Sequence, residues 1–336
     1  MEKAWQRRRI GAGDRMKVLC VGLMVCDVMV KPCSAGMLRR DHSKVDCIDM
    51  RVGGDAFNVA ANLRCLGTEH TLYSRVGSDY IGQFALEFAS AAGIRTEYIT
   101  VSEEPTSVSL VMLEESGERH FASQDGASQF ITGKEIEDTL LEKHDLLYIG
   151  SMGDLPGLSG GNLNTLLKRA KDYHMITAMD ITGNPGPEVM NELIPSLPMI
   201  DFFLPSDYEA TRMAGCGTSE EAARRFAELG VRNVIIKQGK KGCSYLTGEA
   251  PEKFRSYPAF ETAVVDTTGA GDAFVAGFLS AYCGGYSIQE CVMIASRVGA
   301  ECVKAMGANV ALKHMETYAE QLNLTERRRN NIWKER

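Results

Sequence analysis

The chain reads as an α/β protein with a doubly wound, mostly parallel sheet flanked by helices and a small β-sheet lid. Three observations predict that class. From Leu146 onward, short apolar runs at residues 147–150, 176–180, 202–204 and 234–236 alternate with helical stretches at 163–173 and 219–230. That rhythm is the mark of βαβ units. Near the start, residues 16–30 form a continuous apolar run, as expected of a strand buried on both faces. Near the end, V-V-D-T-T-G-A-G-D-A-F-V-A-G-F-L over residues 264–279 reads as strand, glycine-rich turn and all-round apolar, buried helix. Ligands of such sheets collect beyond the carboxyl ends of the strands.

Composition narrows the class further. The 336 residues are 44% hydrophobic and 24% charged, an ordinary globular balance with material for a large core. A net charge of −7 argues against a general nucleic-acid partner, whose phosphates demand a basic face. The ten cysteines are scattered, without a CxxC pair or a Cys/His cluster at zinc spacing, and read as reduced thiols of a cytoplasmic protein. No apolar stretch is long enough to cross a membrane. Residues 1–15 read as a flexible basic extension, 16–325 as one domain and 326–336 as a basic tail.

Taken in order, the first apolar run is interrupted by Asp27. A carboxylate there needs partners, and a polyhydroxyl substrate supplies them. Residues 29–52 are more polar and turn-rich, with loose alternation, and 105–124 read as a hairpin. Together they predict a small exposed sheet apart from the main one. Gly53 and Gly54 allow close backbone approach to a ligand before a helix at 57–66. Asn58, in that helix's first turn, can donate and accept toward a hydroxyl group. Residues 73–82 read as strand and turn, with Gly77 and Asp79 structural. The glycines of K-Q-G-K-K-G (residues 237–242) follow the strand at 234–236.

Residues 266–272 carry the chemistry. Asp266, Thr267 and Thr268 offer capping side chains, and Gly269, Ala270 and Gly271 let the backbone turn sharply. The open N–H groups of a helix start, reinforced by the macrodipole, attract anions. Asp272, in the first turn, is expected to stay ionised there and to take a proton from an attacking hydroxyl.

D-T-T-G-A-G-D-A-F resembles the C-terminal signature of the ribokinase-like (PfkB) family of sugar and nucleoside kinases. G-G-D-A-F-N-V-A-A-N, residues 53–62, resembles its other signature, in the expected order along the chain. The overall look is closest to generic bacterial sugar kinases. The resemblance implies ATP and Mg2+ as cofactors and a ribokinase-like fold. It implies Asp272 as catalytic base, with Gly269, Ala270 and Gly271 as the anion hole. Substrate hydroxyls fall to Asp27, Gly53, Gly54, Asn58 and, as a specificity contact, Asp55.

ATP falls by the same resemblance to Ser206, Lys237, Gly239, Gly242 and Ser296, although Ser206 and Ser296 replace the family's usual asparagines. Glu209 would hold Mg2+ through water, and Asp266, Thr268, Cys302, Ala305 and Gly307 stand where family members bind K+. Ribose-specific relatives carry an acid near residues 150–152; Gly150, Ser151 and Met152 stand here, which weakens ribose as the substrate. A homodimer through the lid is a further expectation. A nucleoside kinase of the same superfamily and a non-catalytic sugar-binding relative are the competing readings. A P-loop kinase is disfavoured because no G-x-x-x-x-G-K-[ST] occurs.

Overall fold

In the computed structural model, residues 16–308 are described apart from 117 and 306. The basic extension 1–15 and the tail 326–336 lie outside the described residues. The chain opens with β1 (Val18–Val21), β2 (Val25–Cys33) and β3 (Cys47–Gly53), then α1 (Asp55–Cys65) and β4 (His70–Gly77). Next come α2 (Tyr80–Ala91), β5 (Ile99–Ser102), β6 (Val108–Glu114), β7 (Arg119–Gln124) and α3 (Asp138–Glu142). The second half runs β8 (Leu146–Ile149), α4 (Gly160–Asp172), β9 (Ile176–Met179), α5 (Pro187–Leu193) and β10 (Phe202–Phe203). It continues with α6 (Asp207–Ala214), α7 (Ser219–Glu228), β11 (Asn233–Lys237), β12 (Cys243–Thr247) and β13 (Ala250–Tyr257). Helices α8 (Ala270–Cys283) and α9 (Ile288–Cys302) close the fold.

Nine strands form one sheet in the order β13-β12-β11-β10-β9-β8-β1-β4-β5. From β11 to β5 all pairs are parallel, and only β12 and β13 join antiparallel. The strands are sandwiched between two apolar layers, and their side chains alternate between them. Val18, Cys20, Leu146, Tyr148 and Phe202 point to the layer holding α1, α8 and α9. Leu19, Val21, Leu147, Ile149 and Phe203 point to the layer holding α4 and α7. Phe202 sets the seat of α8 by edge contacts with Phe278 and Tyr282.

The lid is a separate four-stranded sheet in the order β3-β2-β6-β7. Here the structure corrects two readings. The apolar run at 16–30 is not one buried strand: it breaks at residues 22–24, β1 entering the main sheet and β2 the lid. Only β1 is buried throughout, whereas β2 is part-exposed on both faces apart from Cys26, a distinction that hydrophobicity alone does not carry. No strand precedes the glycine turn either; Val264 and Val265 are both 61% exposed, so their β-branching has no sheet to enter. Asp79 is structural as expected, capping α2 through the Gly82 N–H at 2.7 Å and accepting from the Thr106 N–H at 2.8 Å.

β1 lies inside the sheet, and the chain builds β4 and β5 on one side before returning to place β8 on the other. That reversal makes the carboxyl ends of β1 and β8 a switch point, where a crevice opens. The start of α1 meets it, since a Cβ on Gly150 would lie 3.1 Å from the Asp55 Cβ.

Candidate active site

The N-terminus of α8 faces the crevice. Gly269 sits in the left-handed region (φ 73°), and a Cβ on it would fall 2.3 Å from that of Ala308. Only glycine meets both demands. The Ala270 N–H closes a turn onto the Thr267 carbonyl at 3.3 Å, and Gly271 and Asp272 form the first turn beyond it. Asp272 is buried and accepts a 2.7 Å bond from Asn58 Nδ2 of α1. Burial pushes the Asp272 carboxyl up to about 6, against the lowering effects of Asn58 and Lys237. Desolvation therefore outweighs the helix-dipole expectation of a fully ionised acid.

Around Asp272 the sheet and α1 gather charge. Carboxylate oxygens of Asp55, Asp180 and Asp272 lie within 4.8 Å of one another. Asp55 Oδ2 is buried and without a hydrogen-bond partner in the structure. Burial, then the Asp272 and Asp180 charges, raise Asp55 well above the carboxylate range. Lys237, at the end of β11, pairs with Asp180 and lies 3.7 Å (Nζ) from where a Gly271 Cβ would be. Burial opposes its ammonium, but Asp180, Glu209 and Asp272 outweigh that effect and raise it above an ordinary lysine. Asp180, pushed by burial to about 7, ends a buried strand.

The lid adds Asp27, opposite Arg51 in the β2–β3 register. Burial, and secondarily the Asp272 charge, push Asp27 up to about 7. Its carboxylate lies over Gly53, where a Cβ would meet Oδ2 at 2.3 Å. Gly54 (φ 94°) lets the start of α1 come within reach of the Leu23 carbonyl, 2.4 Å from an added Cβ. Asp27, Asp55, Asn58, Asp272 and Lys237 thus converge, with Glu209 close enough to act on Asp272 and Lys237 electrostatically.

The remaining predicted residues are placed differently. Ser206 caps α6, its Oγ accepting from the Glu209 N–H, while Glu209 Oε2 accepts from the Ser206 N–H at 2.7 Å. Ser296 is buried and pairs with Cys243 Sγ at 3.4 Å. Gly239 opens a short turn with free space beside it, whereas Gly242 is pressed against the Tyr257 carbonyl. Asp266 Oδ1 accepts from the Thr268 N–H (2.9 Å) and Oγ1 (2.7 Å), and Oδ2 accepts from the Gly307 N–H (2.8 Å). Cys302 Sγ approaches the Thr268 carbonyl at 3.7 Å, and Ala305 follows the end of α9.

Sequence reading passed over two charged residues. Asp180 had a usable signal, since an acid ending an apolar strand invites the question already asked of Asp27. Arg119 had none. It lies on lid strand β7, and its guanidinium donates to Thr267 Oγ1 and Thr268 Oγ1 and lies 3.4 Å from Asp266 Oδ1.

Comparison with known proteins shows the family. Residues 15–315 match the model of the pfkB family of carbohydrate kinases. An ATP-dependent 6-phosphofructokinase of Thermoanaerobacterium thermosaccharolyticum is 28% identical over 319 residues, covering 93% of this chain and 95% of that protein. An uncharacterized sugar kinase of Archaeoglobus fulgidus is 30% identical, covering 74% of this chain and 96% of the relative. In fold, the chain is similar to Arabidopsis thaliana ribokinase solved with ribose and ATP. The TM-score is 0.76 at 24% identity, over 92% of this chain and 98% of that one.

Proposed function

The chain belongs to the pfkB family of carbohydrate kinases, and from that premise we propose that it transfers the γ-phosphoryl group of ATP to an alcohol of a sugar or sugar derivative. The observation that carries this reading is Asp272: a buried carboxyl at a helix N-terminus, fixed by Asn58, with a pKa near neutrality. Such a group takes the proton of an attacking hydroxyl, and the helix-start N–H groups with Lys237 steady the charge on the phosphoryl oxygens. Asp27, Asp55 and Asn58, with the backbone at Gly53 and Gly54, orient the acceptor. Burial raises the carboxyls of both Asp27 and Asp55, and their oxygens can accept from sugar hydroxyls.

Oxygen donors suit a hard divalent cation, and the Glu209 carboxylate, near enough to act on Lys237 and Asp272, fits one carried in with ATP. Mg2+ supplies neutralisation of the leaving diphosphate, and Glu209, through water, would help hold it. Gly239, with free space beside it, leaves backbone to line the nucleotide side, and Gly242 closes the turn that holds it. The ten free cysteines suit a reducing, cytoplasmic setting, and among the described residues no helix is long and apolar enough to cross a membrane.

ADP release from Mg-ATP tests the reading across sugars, sugar acids, sugar phosphates and nucleosides. A strong signal with one sugar class is expected; turnover confined to nucleosides would replace the acceptor assignment, and ATP binding without turnover would leave only a binding protein.

We also propose a homodimer through the lid. Ile48 and Met50 of β3 are 67% and 41% exposed, and in register they stand beside Val30 and Val28 of β2. A second copy is the natural cover for that apolar face and for the sheet edge next to it. Light scattering at micromolar concentration should give twice the chain mass, and Ile48→Glu should return it to the monomer value.

A further inference from the structure

We infer that Arg119 is a positioning residue that couples the lid to the anion loop and takes the place a monovalent cation would fill. The inference rests on the kinase reading above but on different residues. Strand β7 is exposed at every position after Arg119. The Arg119 side chain is only 25% exposed and Asp266 10%. From the lid, its guanidinium reaches Asp266, Thr267 and Thr268, the three residues immediately before Gly269. A planar fork with several donors is suited to fixing such a set of acceptors in one geometry.

These contacts have two consequences. First, the segment that aims the N–H groups of Gly269, Ala270 and Gly271 is held partly by the lid, so lid seating and anion-hole assembly are one event. Second, Asp266, the one side-chain acceptor assigned to a potassium ion, is already committed. Asp266 Oδ1 serves the Thr268 N–H, the Thr268 hydroxyl and Arg119, and Oδ2 serves the Gly307 N–H. A potassium ion on Asp266 would sit beside a guanidinium of the same sign. With Arg119 in place the Asp266 carboxylate therefore does not fit K+, and turnover is expected to be independent of it.

Hydrogen exchange of the full chain without ligand tests the coupling whatever the substrate. In Arg119→Ala, amides of β7 and of residues 264–272 should both exchange at least about tenfold faster, with those of β8 and β9 unchanged. An anion loop with unchanged exchange would overturn the inference. In the ADP-release assay, the wild type should run equally in potassium and tetramethylammonium chloride. Arg119→Ala should lose about 10²-fold in kcat with little change in KM for ATP and become stimulated by potassium. A wild type that requires potassium would also overturn it. Should Arg119→Ala fail to fold, Thr267→Val/Thr268→Val removes the acceptors from the other side and should show the same exchange pattern. If no acceptor supports turnover, the kinase reading fails while the exchange measurement still decides the role of Arg119.

Discussion

Asp272→Asn is expected to lower kcat by about 10²–10⁴-fold, the usual contribution of a positioned general base, with little change in ATP affinity. The same substitution should stabilise the fold. Burial raises the Asp272 pKa from 3.8 to about 6, so the folded protein favours the protonated carboxyl. That preference contributes stability fully below the unfolded-state pKa and is lost as pH rises through about 6. At pH 7–8 the native state therefore carries an ionised, desolvated carboxylate at a net cost, of order 1–3 kcal/mol by linkage. Asparagine removes the charge, and its amide oxygen can still accept from Asn58 Nδ2.

Loss of turnover with gain of stability is the signature of a residue kept for chemistry rather than for folding. The wild-type profile follows from the same titration: kcat/KM should climb with pH up to about 6 and level off above. Unchanged turnover in Asp272→Asn, or a kcat/KM flat between pH 5 and 7, would remove Asp272 from the role of base. Thermal unfolding of both proteins at pH 5 and pH 8 gives the stability side; the advantage of the variant should be present at the higher pH and shrink at the lower.

The sequence carried the anion loop and the first glycine signature because their constraints are local. Gly269 must adopt a left-handed turn under Ala308, Gly54 must clear the Leu23 carbonyl, and the apolar helix that follows the loop must be buried. Each demand leaves its residue in place on the chain. The alternation from β8 to β11 was legible for the same reason, since strands buried on both faces and amphipathic helices differ in period. What could not be read depends on which distant segments meet. The break at residues 22–24 that sends β2 into the lid is set by where β6 lies. Arg119 acquires its partners only when β7 folds over a loop 147 residues away. Asp180 and Lys237, 57 residues apart, become a pair only because β9 and β11 flank the short β10.

That pair gives the largest expected stability effect. Lys237→Met should destabilise the protein by about 3–5 kcal/mol, because it removes the partner of Asp180 and leaves a buried carboxylate uncompensated; Asp180 is 1% exposed in its side chain and Lys237 14%. Adding Asp180→Asn should recover most of the loss, since replacing both members of a buried ion pair is often close to neutral. Urea unfolding of wild type, both single variants and the double variant closes the cycle and isolates the coupling between the two sites. Equal losses in Lys237→Met and the double variant would mean that the pair does not stabilise the fold through its charges.

Turnover in the double variant then separates structure from chemistry. Lys237 Nζ lies beside Gly271, at the loop assigned to the phosphoryl oxygens, and methionine carries no charge to offer them. A protein with restored stability and turnover still down by about 10²-fold or more would assign the ammonium to phosphate and leave Asp180 as its holder. Restoration of both would mean that the ion pair serves only the fold, and that the helix-start N–H groups suffice to steady the transferred group.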